Sequence, residues 1–373
     1  MEPNFFGRNG FTKQKGVLGQ LLTGLKIKGY DFLSRQEFFR RRFLKKQWES
    51  IALVGDDENA VETASHCPTW FSSLLTGATS YFLNGPGVGG LNDLAYPLQK
   101  PVLGDLFIGQ YRIGKTDADL VPSFVPLAVT EVKKQEKSVV VSYKGIGGGP
   151  DLIRLMSSGA MRCTERPLNP HGMAFDTEYK LYSKVVIGVD DTDSSVKGAT
   201  FSTALQLASV LDRSSKDYNF LRFTLSFNWP SNPVKTTNNA SSALVFAVTP
   251  GKEENLVRDF ERLIRKYSIS KETGMVVMNK IRAPEVLKSY ARKVKREHVT
   301  VDEALKASDQ ASVRAIPVTG DRGLIGALSV VGLVDDVEEA ITPVTKSEPA
   351  YVSSAANRGE GSIQTNAKTI PAG

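Results

Sequence analysis

The chain has 373 residues, is 41% hydrophobic and carries a formal net charge of +7, which excludes a disordered chain and leaves material for two or three domains with real cores. The charge is concentrated: residues 1–50 hold eleven Lys and Arg against four Asp and Glu, while the remainder balances, so a near-neutral globule with a basic arm is expected, and the arm is suited to a polyanion. No apolar run reaches the roughly 18 residues of a bilayer span and no basic-then-apolar leader opens the chain, so a soluble, cytoplasmic protein without membrane contact is expected. Cys67, Cys163, His66, His171 and His298 are scattered, which argues against a zinc site, a disulfide scaffold or a Ser-His-Asp triad.

In chain order, residues 1–50 form a basic N-terminal extension. Residues 35–48 predict a helix in which Phe39, Phe43 and Trp48 lie beside Arg40, Arg41, Arg42, Lys45 and Lys46. Such a helix can meet RNA phosphates and unstacked bases, or dock its aromatics on the core with its charges in water. Residues 51–180 read as a β-rich N-terminal domain, punctuated by Gly and Pro, with strands expected at 106–111, 124–129 and 138–143. The last runs into KGIGGGP at 144–150, which lacks the Lys-Ser/Thr ending of a P-loop and reads as a tight turn.

Residues 184–203, KVVIGVDDTDSSVKGATFST, carry the densest chemistry. A buried strand ends in three carboxylates, Asp190, Asp191 and Asp193, and a helix follows in which Phe201, Ala204, Leu205, Ala208 and Leu211 recur at helical spacing. Acids at a strand end facing a helix N-terminus suit a magnesium-phosphate group. A polar turn with an Asp cap is the other reading. Next, Leu221, Phe223, Leu225 and Phe227 alternate with Arg222, Thr224, Ser226 and Asn228, which predicts a half-buried strand. The loop at 231–242 holds Lys235, Asn238 and Asn239, able to meet a nucleotide or simply to face water. A strand at 243–248 and a helix at 254–267 complete an α+β unit over 181–270.

A second α+β unit is expected over 271–343. It has a short buried strand at 275–278, a helix from Pro284 with proline at its first position, and a second helix opened by a Thr300–Glu303 capping box. A strand near 313–318 then leads into TGDRGLIGALSVVG at 319–332. There Gly320, Gly323 and Gly326 permit close backbone approach and Asp321 and Arg322 supply both charges, for a ligand or for a turn into a buried element. Residues 344–373, poor in apolar side chains, predict a disordered tail.

The ordered set IGVDDTDS, NPVKTTNNASSALVF, ETGMVV and GDRGLIGALSVVG resembles the archaeal isoleucine-tRNA 2-agmatinylcytidine synthetases and, more closely, the methanogenesis marker protein 11 family, across residues 48–343. The resemblance implies an α+β protein in which a kinase-like, ATP- and Mg2+-binding domain over 181–270 precedes a ferredoxin-like domain over 271–343. It implies Asp190, Asp191 and Asp193 as metal and catalytic residues, and Thr200, Ser202, Lys235, Asn238 and Asn239 as ATP-binding residues. Gly320, Asp321, Arg322, Gly323 and Gly326 would border the second substrate. The implied reaction is activation of a carbonyl by phosphoryl transfer and its attack by an amine. Implied partners are tRNA through the basic arm, an amine co-substrate, or a protein of methanogenesis. The synthetases carry Cys-Thr-Thr after the glycine where this chain has the run Ala199-Thr200-Phe201-Ser202, and Lys-Thr-Arg-Gly-Asn-Gly where it has Lys235 to Ala240, so a non-catalytic ATP-binding assembly or regulatory protein is the alternative.

Overall fold

A computed structural model of the chain describes residues 50–57, 59–66, 94–96, 102–103, 106–117, 120, 126–168, 172–235 and 239–342. The expected helix at 35–48, the rest of the basic extension up to residue 49, Asn238 and the tail at 344–373 lie outside the described residues.

The architecture is mixed α/β, with fourteen strands among the described residues joined in one sheet. Its spine is β10 (Gly172–Asp190), which serves two settings in succession. The first half lies antiparallel between β8 (Ser138–Ile146) and β9 (Arg162–Leu168), and β7 (Leu127–Lys134) and β6 (Gly114–Lys115) extend the sheet beyond β8. Near its middle β1 (Ser50–Val54) joins in parallel, from Ile51 opposite Lys180 to Val54 opposite Ser183, and brings β2 (Ala60–His66) and β5 (Leu106–Arg112) behind it. The two-residue strands β3 (Ala95–Tyr96) and β4 (Val102–Leu103) pair with β5. The second half lies between β12 (Ala240–Val248) and β13 (Gly274–Met278), with β11 (Tyr218–Phe227) outside β12 and β14 (Arg314–Pro317) outside β13.

Burial along β10 explains the change. Phe175, Thr177, Tyr179 and Leu181 are buried while Asp176, Glu178 and Lys180 are not, the alternation of a strand with one wet face; from Lys184 to Val189 every residue is buried. The sequence marks only this second stretch because its apolar run starts at Val185. The strand passes unbroken through residues 180 and 181, and β13 bonds directly to β10, so the blocks at 51–180, 181–270 and 271–343 share one sheet.

Helices α2 (Thr200–Ser214) and α3 (Glu253–Tyr267) cover one face of the second half, packing Leu207, Leu211, Phe260 and Ile264 on Val185, Ile187, Val189 and Phe246. Each such side chain contributes about 1.5–3 kcal/mol on burial. α3 places Glu253 and Glu254 in its first turn and Arg265 and Lys266 in its last, complementing the helix dipole. The other face carries α4 (Glu285–Val294), α5 (Val301–Ala311) and α6 (Gly323–Gly332) over Val186, Val245 and Val276. The capping box of α5 forms as expected: Thr300 Oγ1 accepts from Glu303 N–H and the Glu303 carboxylate accepts from Thr300 N–H.

Three local expectations are corrected. β8 continues to Ile146, and the glycine turn then opens a short helix, α1 (Gly149–Met156). Pro284 is the cap of α4 and not its first helical residue. β11 reverses its expected burial: Arg222, Thr224, Ser226 and Asn228 are buried, whereas Phe223, Leu225 and Phe227 are half-buried. Arg222 and Asn228 find partners on the inward side, while the Thr224 and Ser226 hydroxyls are buried with no hydrogen-bond partner among the described residues. Arg222 donates to the Val334 carbonyl and to Asp335, and Asn228 donates to Ser241 Oγ and accepts from Ser329 Oγ.

Candidate functional site

The acid end of β10 points at the start of α6, not at the N-terminus of α2. Asp190 Oδ2 lies so close to Gly326 that a Cβ there would sit 1.7 Å from it. A Cβ on Gly323 would come within 2.4 Å of Gly274 N and 2.7 Å of the Asp190 carbonyl. These two glycines are therefore steric requirements of the acid end, since any side chain would displace the helix from the strand.

Asp191 takes a left-handed backbone, φ +53°, which turns the chain sharply out of the strand. Its N–H donates to Asp190 Oδ1 at 2.8 Å and its carbonyl accepts from Thr273 Oγ1 at 2.7 Å. Its carboxylate accepts from Arg322 Nε at 2.9 Å, a contact between residues 131 apart in the chain. Asp193 turns away. Thr200 Oγ1 donates to its Oδ1 at 3.3 Å and accepts from Thr192 N–H at 3.2 Å, closing the loop onto the first residue of α2. Gly198, at φ +88°, lets this loop fold back.

The electrostatics follow from crowding. Burial first, then the Asp191 charge, pushes the Asp190 carboxyl well above its usual range. Burial also raises Asp191, while the Arg322 hydrogen bond pulls it back. Two carboxylates facing one guanidinium favour any group that brings positive charge.

Both acids open onto a cavity of about 280 Å³ that is also lined by Lys235, Asn239, Arg322 and Gly326, with Glu297, His298 and apolar side chains such as Val294, Val299 and Ile325 among its other walls. Lys235 is exposed, and its ammonium donates to the Pro230 carbonyl. Asn239, at φ +48°, fastens its loop: its amide donates to the Trp229 carbonyl at 2.6 Å and its carbonyl accepts from Asn228 N–H. Of the residues expected at the site, Asp190, Asp191, Lys235, Asn239, Arg322 and Gly326 share this cavity. Asp193, Thr200 and Ser202 lie outside it, Ser202 buried and accepting from Gln206. Gly320 packs against the Lys271 carbonyl, Gly323 against β13, and Asp321 is exposed with its carbonyl capping Leu324.

Glu297 and His298 carry no signal for this cavity in the sequence, where they belong to the plain polar turn between α4 and α5. The signal that places them is the hydrogen bond from Trp229 N–H to the Val294 carbonyl, which ties that turn to the Lys235 loop. Among the described residues no group of three or more His, Cys, Asp or Glu converges as a metal cage, and no helix is long and apolar enough to cross a membrane.

No protein-family model matches the chain. It is 31% identical over 229 residues, 60% of its own length and 76% of the relative's, to the uncharacterized protein MJ0921 of Methanocaldococcus jannaschii. It is 30% identical over 150 residues to the isoleucine-tRNA 2-agmatinylcytidine synthetase TiaS of Pyrococcus horikoshii, a match covering 39% of this chain and 35% of that one. The chain thus spans about a third of the synthetase. A crystal structure of TiaS in complex with its isoleucine tRNA and ATP aligns at 26% identity with a TM-score of 0.37, over 40% of this chain and 36% of that one.

Proposed function

The chain belongs to the family of the uncharacterized Methanocaldococcus jannaschii protein, and from that premise we propose that it is an ATP-dependent enzyme of the agmatinylcytidine-synthetase type. The observation that carries the reading is the pairing of Asp190 and Asp191 at the wall of a cavity also lined by Lys235, with Arg322 hydrogen-bonded to Asp191. Magnesium binds through one or two carboxylates together with phosphate oxygens and water. Asp190 and Asp191 fit that donor set, so they are the ligands in this reading, while Asp193 shapes the loop through Thr200. When bound, the ion would neutralise charge on a transferring phosphoryl group.

The protein's own part is positional. Lys235, released from the Pro230 carbonyl, meets the phosphates, and Asn239 holds the loop that presents it. Gly326 keeps the helix backbone close to the carboxylates. A carbonyl oxygen would then take the phosphoryl group from ATP, and an amine would attack the activated carbon, forming the C–N bond and displacing that oxygen as phosphate. A tRNA acceptor, the basic extension as its grip, an amine second substrate and the methanogenesis marker protein 11 label belong to this same proposal, as does the kinase-like and ferredoxin-like division of residues 181–343.

A second reading is a non-catalytic ATP-binding protein that assembles or regulates. It is favoured by the buried, hydrogen-bonded hydroxyls of Thr200 and Ser202, which offer no free phosphate acceptor. Incubation of the protein with magnesium and labelled ATP, with and without total RNA and agmatine, separates the two. RNA-stimulated nucleotide turnover supports the enzyme, and tight binding without turnover under every addition supports the assembly role.

A further inference from the structure

The Asp191–Arg322 contact has a geometry that suits exchange better than permanence. The acid is fixed: its backbone is clamped through Asp190 and Thr273 on either side, and it is the more enclosed partner, 15% exposed. The arginine is the movable partner, a long side chain 33% exposed on the cavity wall at the cap of α6, where it caps no backbone group. It reaches Asp191 through Nε, which leaves the outer edge of the guanidinium for a second acceptor. The nearby acids are Asp190 and Glu272, and Glu272 lies beside both Asp191 and Arg322.

The charges give the exchange a direction. Asp190, Asp191 and Glu272 around one guanidinium leave a negative balance beside Arg322, and a divalent cation on the two aspartates removes it. The arginine then becomes surplus next to the acids and is within the same cavity as any polyphosphate held there. We propose that Arg322 is an exchangeable counter-ion, occupying Asp191 before ligands enter and moving to the phosphates once a divalent cation takes that carboxylate. This rests on the metal-nucleotide reading above and adds to it a residue that competes with the metal and cooperates with the nucleotide.

The two roles require opposite signs from one substitution, which a merely structural arginine would not produce. Manganese(II) alone, followed by electron paramagnetic resonance, and ATP with magnesium, followed by calorimetry, are titrated into the full chain and its Arg322→Ala and Arg322→Gln variants. The expected result is manganese binding tightened about threefold, the scale of a partly exposed ion pair, and ATP binding weakened about tenfold, the scale of a charge-assisted phosphate contact. Both affinities falling together, or neither changing, overturns the exchange, and agreement of the two variants guards against a folding artefact. Asp190→Asn separates this from the underlying reading. If manganese binds the wild type and Asp190→Asn equally, the metal site itself is elsewhere and both ideas fall.

Discussion

The two ends of the covered half of β10 present the same face to α6 and to the turn that follows it, yet they handle charge in opposite ways. Lys184 and Asp190 lie six residues apart in one strand, about 20 Å. At the Lys184 end, Glu62, Lys184, Arg222 and Asp335 form a buried network with two charges of each sign, and Gln110 and the Ile281 carbonyl add further bonds. Only Glu62 Oε1 and Gln110 Oε1 there lack a partner among the described residues. At the Asp190 end, two acids share one arginine and open onto a cavity. A balanced, sealed cluster can do no more than hold β2, β5, β11 and the end of α6 in place. An unbalanced, open one is disposed to take a ligand, because its own stability improves when positive charge arrives.

The largest expected effect is at the sealed end. Lys184→Met strands Glu62 and Asp335 as buried acids short of a counter-charge and should cost about 3–5 kcal/mol in urea unfolding. Asp190→Asn, by contrast, should leave stability unchanged or raise it by about 1 kcal/mol, since it removes a crowded charge. Equal losses in both variants would erase the distinction between the two ends of the strand. Gly326→Ala comes next. Its methyl group must displace the Asp190 carboxylate or α6, so a loss of about 1–3 kcal/mol is expected together with weakened ATP binding.

The pH dependence should also differ in sign. Burial pushes Asp335 up, but the charges of Lys184 and Arg222 outweigh it and hold the carboxyl far below its usual range. Its stabilisation is therefore present above the unfolded value near 3.9 and is lost as pH falls below it. Asp190 is raised, so the folded protein holds a proton that the unfolded chain releases, and stability falls as pH climbs above about 3.9 toward the raised value. Unfolding curves between about pH 3 and 7 should lose the first slope in Asp335→Asn and the second in Asp190→Asn.

The smallest effect sharpens the comparison with a third case, a buried cation held by neutral groups. Lys295 donates to the Phe227 and Ala340 carbonyls, and burial lowers it to about 8. Because the unfolded chain keeps its proton longer, stability should rise between about pH 8 and 10.5, and Lys295→Met should flatten that rise in alkaline unfolding curves.

How far the sequence reveals all this depends on the range of the contacts. The acid strand, the spacing of α2 and the capping box of α5 are legible because each is local, written within one strand or one helical turn. The approach of Arg322 to Asp191 has no local signature, and neither has the hydrogen bond that Thr200 donates to Asp193. β11 is the instructive failure: its alternation is visible, but which face is covered depends on Asp335 and Ser329, more than a hundred residues away. Lys184 likewise looks like the polar edge of a strand and is completely buried, because Glu62 arrives from a distant hairpin.

In the proposed function Asp190 and Asp191 hold a divalent cation that binds ATP. This is tested most directly by titrating ATP, with and without magnesium, into the wild type and Asp191→Asn. The expected result is magnesium-dependent binding that Asp191→Asn weakens by at least about tenfold while its unfolding midpoint is retained. Unchanged, magnesium-independent affinity in the variant would contradict it.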